Sequence, residues 1–325
     1  MTKIFVRTPS RIAMSLLDMN GELGRLDGGP GFSLREPCLE FLIENAEEII
    51  FENNEILSDE LEEAAICNLR KLKKDKNHRG VKVTIMKSIP EHSGFGSKTA
   101  TLLSIGRAYG LLNSEELSYK ELAIMSRRGG TSGIGVNIID KGGFIVEGGH
   151  STDYKRDFTP SSATDIIIPA PLLVRYVMPE WDVLVAIPRL ERIFGERERS
   201  FFKNTCPIPR RDVEELSRII LVQLMPAIIE DNINIFCQGV NRIQELAWKR
   251  NEIELYGEKI KLIMDRGRKN GALGAGMSSI GPTVYFLGGN LAKAKEGLRR
   301  SFDSNELDLF FTKPDNKGVE YKIEK

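Results

Sequence analysis

Cysteine and histidine are both scarce: four cysteines, with no C-x-x-C pair among them, and three histidines in 325 residues. Cys38, Cys67, Cys206 and Cys237 are too scattered for a disulfide framework or a zinc site, which fits a reducing compartment. Net charge is absent too, since Lys+Arg and Asp+Glu both number 46. Without a basic field there is no electrostatic case for nucleic acid. Long apolar runs are also missing. The greasiest stretch, 219–229, is too short to span a bilayer and is interrupted by Gln223 and Pro226. The first residues show no signal-peptide core. A cytoplasmic protein, partnered by neither membrane nor nucleic acid, is expected.

What is present is ordinary globular material, 41% hydrophobic and 28% charged, long enough for two domains. Short strands and helices out of strict alternation predict an α+β class. Strands are expected at 4–6, 12–17, 38–43, 48–51, 81–87, 134–139 and 143–147, and again at 182–187, 283–287 and 307–312. Helices are expected at 58–74, with Ser58 as N-cap, and at 100–112, 119–127, 211–226, 232–250 and 291–302. Lys71, Lys73, Lys74 and Lys76 suit the C-terminal end of the first helix as a solvated, dipole-matched cluster. Pro160, Ser161, Ser162, Pro169, Pro171 and Pro179 mark a boundary, dividing 1–165 from 166–325.

The thirty glycines are not spread evenly. Residues 89–103 run from a Pro-punctuated turn through Gly94 and Gly96 into Ser97, Lys98, Thr99 and an apolar helix. Such a loop leaves backbone N–H groups unpaired at the positive end of a helix, which is an anion seat and above all a phosphate seat. The Walker pattern is absent, and an ordinary glycine turn with a Ser or Thr cap is the plainer alternative. Three further clusters accompany it. Residues 10–31 hold Arg11, Asp18, Arg25 and Asp27 among glycines, either as anion, metal or base groups or as solvated hairpin charges. Residues 127–135 set two arginines beside Thr131 and Ser132, another anion-binding combination. Residues 271–282 are small enough to let a second element pack on the first loop. His92 sits inside the anion loop and is a functional candidate. His150, after a strand and two glycines, is an ordinary hydrogen-bonder unless a partner makes it more, and His78 lies in a polar run. The charge-alternating stretch 189–199 reads as a solvated helix.

The order and spacing of three of these clusters, 8–34, 90–100 and 274–283, resemble motifs 1 to 3 of the GHMP kinase superfamily. Within it the chain more closely resembles the β-ribofuranosylaminobenzene 5′-phosphate synthase family, an archaeal family of methanopterin biosynthesis. Residues 8–12, 17–21, 24–29, 128–135 and 142–151 carry that likeness, and 128–151 are its most specific part. The resemblance implies an α+β GHMP-type two-domain fold. Its N-terminal domain would be like domain 2 of ribosomal protein S5 and its C-terminal domain ferredoxin-like.

Two departures stand out. Gly135 occupies the place where many kinases of the superfamily carry the acid used in phosphoryl transfer, which argues against a kinase. Ala13 stands where the synthases usually have His, which leaves room for altered specificity. The implied reaction joins phosphoribosyl pyrophosphate to 4-aminobenzoate or 4-hydroxybenzoate, releasing CO₂ and pyrophosphate, with Mg²⁺ as cofactor and a homodimer as assembly. The implied catalytic residues are Arg11, Asp27, Arg128 and His150. Phosphate and pyrophosphate would be held by His92, Gly94, Gly96, Ser97, Lys98, Thr99, Thr131 and Ser132, and metal by Asp18 and Asp27. The alternatives are an ATP-dependent small-molecule kinase and a non-catalytic paralogue.

Overall fold

A computed structural model of the chain describes residues 2–76, 78–161, 163–164 and 168–324. Ser162 and the division expected at 165/166 lie outside the described residues. Two sheets organise the fold. In the larger, Glu320–Glu324, Lys3–Ala13, Gly29–Ala46, Gly80–Lys87 and Ile50–Glu52 lie side by side. All pairs are antiparallel except the last. The long strand Gly29–Ala46 also pairs, near its start, with Phe144–Glu147, which in turn pairs with Leu172–Tyr176. The smaller sheet is antiparallel throughout, in the order Ala272–Met277, Val284–Gly289, Val183–Pro188, Leu307–Thr312. The first sheet therefore takes strands from beyond residue 165, including the last strand of the chain.

Both sheets bury a face against helices. Ser97–Leu112 lies on the first sheet with Leu102, Leu103, Ile105 and Tyr109 in the core. Asp59–Lys76 packs beside it through Leu61, Ala65, Leu69 and Leu72, and the Ser58 hydroxyl caps its start by accepting from Leu61 N–H at 3.3 Å. Glu258–Lys269 and Leu291–Ser301 cover one face of the second sheet. Its other face meets the first half directly. Tyr285 sets its ring edge-on to Phe32, centroids 5.6 Å apart, and Phe236 does the same to Phe144 at 6.2 Å.

Four expected elements change. The pieces expected at 4–6 and 12–17 are one strand, Lys3–Ala13, and 14–17 form no strand. Residues 134–139 form a helix, Ile134–Lys141, and not a strand. A short apolar run fits either period, and tertiary packing decides. Ile134 and Ile138 enter one cluster with Ala13 and Ile145, Val136 and Ile139 enter the main core, and Asp140 and Lys141 face out. The helix expected at 211–226 runs as Arg210–Ile219, one π turn Ile220–Leu224 and Met225–Ile229. Pro226 has no N–H for the ladder, and the π turn absorbs the missing bond. The helix expected at 232–250 breaks into Ile233–Ile243 and Ala247–Glu254. At the break Gln244 turns to accept from Met277 N–H, and Asp212 accepts from Ala247 N–H.

Candidate active site

The glycine clusters converge on one cavity of about 450 Å³. Its floor is motif 2. The helix Ser97–Leu112 begins after Gly96, which takes φ 79° and offers no side chain, so its first N–H groups have no side-chain cap. The capped-turn alternative is thus replaced by an open helix start, with no acidic residue in the first turn to neutralise it. Motif 3 packs so closely that a Cβ on Gly94 would lie 2.3 Å from Ser278 O, and one on Gly281 would lie 2.2 Å from Gly94 N. Ser278 Oγ donates to Gly94 O and accepts from Ala13 N–H, tying motif 3 to motifs 1 and 2 together.

Arg11 and Arg128 reach this floor from opposite sides. Arg11 donates from Nη1 to Gly94 O at 2.6 Å, and its Nε is buried without a partner. Burial, then the nearby Arg128, pushes its pKa down to about 10. Arg128 donates from Nε to Thr99 Oγ1 at 3.1 Å, and burial lowers its pKa while Glu198 opposes the shift. Among the described residues neither guanidinium forms an ion pair with a carboxylate. Two partly buried cations with no ion-pair partner are costly to desolvate, and an anionic ligand between them would reduce that cost.

The opposite wall is apolar: Leu16, Phe202, Trp248 and Ile280 line it. Trp248 packs edge-on to Phe202, centroids 5.0 Å apart. Over the mouth, Phe194 stacks on His92 at 4.5 Å, joining the C-terminal half to the anion loop. Stretch 189–199, expected as a solvated helix, instead lends Ile193, Phe194 and Glu198 to the cavity, and only its end is helical, in Glu196–Thr205. Burial pushes the Glu198 carboxyl up to about 7, against the pull of Arg128.

Most of the expected residues meet here. Arg11, His92, Gly94, Gly96, Ser97, Lys98, Thr99, Arg128, Thr131 and Ser132 all line the cavity, as do Ala13 and Gly135. Lys98 extends to Glu60 at 2.8 Å on the rim. Thr131 donates to Thr159 O, and Ser132 donates to Glu147 Oε1 at 2.9 Å.

Asp27, His150, Asp18 and Arg25 do not line it. Asp27 Oδ2 is 2.8 Å from both His150 Nδ1 and Lys155 Nζ, and the whole group is buried behind the 129–131 backbone. Lys155 also donates to the carbonyls of Gly130 and Thr159, and His150 Nε2 lies 3.1 Å from Gly129 O. Asp18 Oδ1 accepts from Asn20 and Gly21 N–H in a local turn, and Arg25 holds the carbonyls of Gly148 and Gly149. The expected metal pair does not fit. The Asp18 and Asp27 backbones bridge, but their side chains hold different partners, and an ammonium already occupies Asp27. Among the described residues no group of three or more His, Cys, Asp or Glu side chains could hold a metal.

Sequence reasoning passed over four participants. Glu147 is fully buried, its carboxyl pushed up to about 8 by burial. It is a lone acid in the otherwise apolar strand Phe144–Glu147, which was a signal in plain view. Lys155 carried no pattern. Lys249 and Glu252 sit one turn apart on Ala247–Glu254, where only the tertiary fold says which face turns inward.

Comparison with known proteins bears on this geometry. Residues 62–141 match the family described as GHMP kinases N terminal domain. The chain is 40% identical over 326 residues to the beta-ribofuranosylphenol 5′-phosphate synthase of Archaeoglobus fulgidus, spanning 98% of this chain and 99% of that protein. It is 42% identical over 295 residues to the synthase of the same name from Methanothermobacter thermautotrophicus, spanning 88% of each. The crystal structure of the mevalonate kinase of Methanococcus jannaschii has the same fold. It superposes with a TM-score of 0.66 at 17% identity, covering 96% of this chain and 98% of that one.

Proposed function

The chain belongs to the beta-ribofuranosylphenol 5′-phosphate synthase family, a family of pentosyl-transferring enzymes, and on that premise we propose the reaction its cavity carries out. Phosphoribosyl pyrophosphate and 4-hydroxybenzoate or 4-aminobenzoate give a C-riboside 5′-phosphate, CO₂ and pyrophosphate. The relatives' name, which describes the product as a ribofuranosylphenol, favours the hydroxy acid. One observation carries the reading: a single cavity is lined by two half-buried guanidiniums without ion-pair partners, a bare helix start and an aromatic cluster. A substrate pair with a polyanionic end and a flat apolar end suits that polarity.

Pyrophosphate leaves from C1 of the ribose, so negative charge grows on the departing oxygen. The N–H groups of Ser97–Thr99 and the forks of Arg11 and Arg128 are fixed donors for it, needing no rearrangement at the moment of reaction. The ring carbon bearing the carboxylate bonds to C1, and CO₂ departs. Mg²⁺ suits this site as a companion of the pyrophosphate, because it favours phosphate oxygens and water over all-protein cages. Glu60 and Glu91 line the loop side of the cavity, but Lys98 holds the first and Ser58 both oxygens of the second, so the pyrophosphate oxygens and water would be the main ligands of Mg²⁺. Bound there, it would supply charge neutralisation for the leaving group.

A kinase of the same fold is the rival. Against it stands Gly135, where a Cβ would sit 3.3 Å from Thr99 Cγ2, leaving tight space for the acid a kinase would place there. Incubation with phosphoribosyl pyrophosphate, Mg²⁺ and carboxyl-labelled benzoates should release labelled CO₂. No release from either benzoate, with ADP formed from ATP and some small alcohol, would overturn the synthase reading.

A further inference from the structure

Lys249 and Glu252 form an ion pair that the mechanism above leaves idle. Lys249 is fully buried and Glu252 nearly so, with Nζ to Oε2 at 2.5 Å, and Lys249 also donates to Ser279 O at 3.1 Å. Glu252 lines the cavity one turn after Trp248 on the same helix, near enough to Arg11 for the two charges to act on each other. Only its Oε2 is engaged by the protein. An ammonium clamps one oxygen, fixing the carboxylate and leaving Oε1 for whatever lies against the wall. A buried charged pair is a poor source of stability compared with apolar packing, so its place in the lining of the cavity, one turn from Trp248, calls for another role.

Building on the proposed reaction, we infer that Glu252, held by Lys249, receives the proton of the acceptor's para-hydroxyl and so activates the ring carbon that bears the carboxylate. The hydroxyl proton passes to Oε1. The electron pair freed on oxygen moves through the ring, and the para carbon bonds to C1 of the ribose. The bond from C1 to pyrophosphate breaks and takes its own pair away. The bond from ring to carboxylate then breaks, releasing CO₂ and returning its pair to the ring. The oxygen, now a phenolate, takes the proton back from Glu252. Nothing is oxidised or reduced, and no further reactant is consumed.

The test compares Glu252→Gln with the unaltered enzyme on two acceptors, 4-hydroxybenzoate and 3,5-difluoro-4-hydroxybenzoate. The fluorines acidify the hydroxyl, so the second acceptor arrives largely ionised and has little use for a base. A general base contributes at least about 100-fold, so Glu252→Gln should lose on the order of 100-fold in kcat on the first acceptor and about tenfold or less on the second. Phosphoribosyl pyrophosphate binding by calorimetry should stay unchanged. Because Glu252→Gln leaves Lys249 unpaired, a Lys249→Met, Glu252→Gln double variant, with no lone buried charge, should repeat the pattern. Equal losses on both acceptors, or none, would overturn the inference while leaving the synthase reading intact. Failure of the unaltered enzyme to release CO₂ from either benzoate would overturn both.

Discussion

Two buried charge clusters lie a few residues apart in this molecule, and they differ in one respect. Around Asp27, His150 and Lys155, the ammonium and both ring nitrogens have partners within the protein. Around Arg11 and Arg128, the cations bond to backbone and a hydroxyl, and the nearby carboxylates Glu147, Glu252 and Glu198 act on them without forming an ion pair among the described residues. The first cluster has the residue types of a catalytic triad and commits both its cationic groups to protein acceptors, leaving only Asp27 Oδ1 without a partner, and it cements the strand pairing of Arg25–Leu26 with His150–Ser151 to the 129–131 backbone. The second has unmet demand, and it faces a cavity. Cations paired within the protein mark structure, and cations that face a cavity without an ion-pair partner mark the place for an anionic ligand.

Substitutions can separate the two. The largest effect is expected from Asp27→Ala, which strands Lys155 beside a lost partner and should cost about 3–5 kcal/mol in denaturant unfolding. The fraction that stays folded should retain its turnover. Arg11→Leu should do the opposite. Stability is expected to hold or rise, since an unpaired buried charge is removed, while kcat/KM falls about 10²–10³-fold, or about 2.7–4 kcal/mol. If Asp27→Ala abolished turnover without affecting unfolding, the comparison would be broken.

Glu147 sharpens it through pH. Burial pushes its folded carboxyl up to about 8, well above the ordinary 4.5 of a glutamate. Between those values the folded state holds more protons than the unfolded state, so stability falls as pH rises and levels off above the folded value. Glu147→Gln keeps the acceptor for Ser132 and removes the titration. Its melting temperature should be flatter from about pH 5 to 8, a difference on the order of 2 kcal/mol. The smallest effect belongs to Lys98→Ala. The Lys98–Glu60 pair is 40% and 67% exposed, so unfolding should change by less than about 1 kcal/mol, with pyrophosphate affinity falling only severalfold.

Much of the site was legible in the sequence, because glycine clusters report backbone approach and the 94–99 loop names its chemistry locally. Many strand and helix types were readable for the same local reason, but 12–17 stops being strand after Ala13, 189–199 is helical only from Glu196, and at 134–139 four apolar residues suit both periods and packing against Ala13 and Ile145 decides. Asp27 and His150 were misplaced because residue type says nothing about who is already bonded to whom. Lys155, 128 residues from Asp27 in sequence, closes that cluster only in three dimensions. Lys249 and Glu252 were invisible for a related reason. A charged pair one turn apart on a helix reads as a solvated face until the break at Gln244 turns it inward.

The most direct test is calorimetric titration of Mg²⁺-pyrophosphate into the unaltered protein, Asp27→Asn, and the Arg11→Leu, Arg128→Leu double variant, each checked for folding. Binding by the first two and its loss, by about 100-fold or more, in the double variant is the expected result. Undiminished binding by the double variant would contradict the assignment of the anion seat.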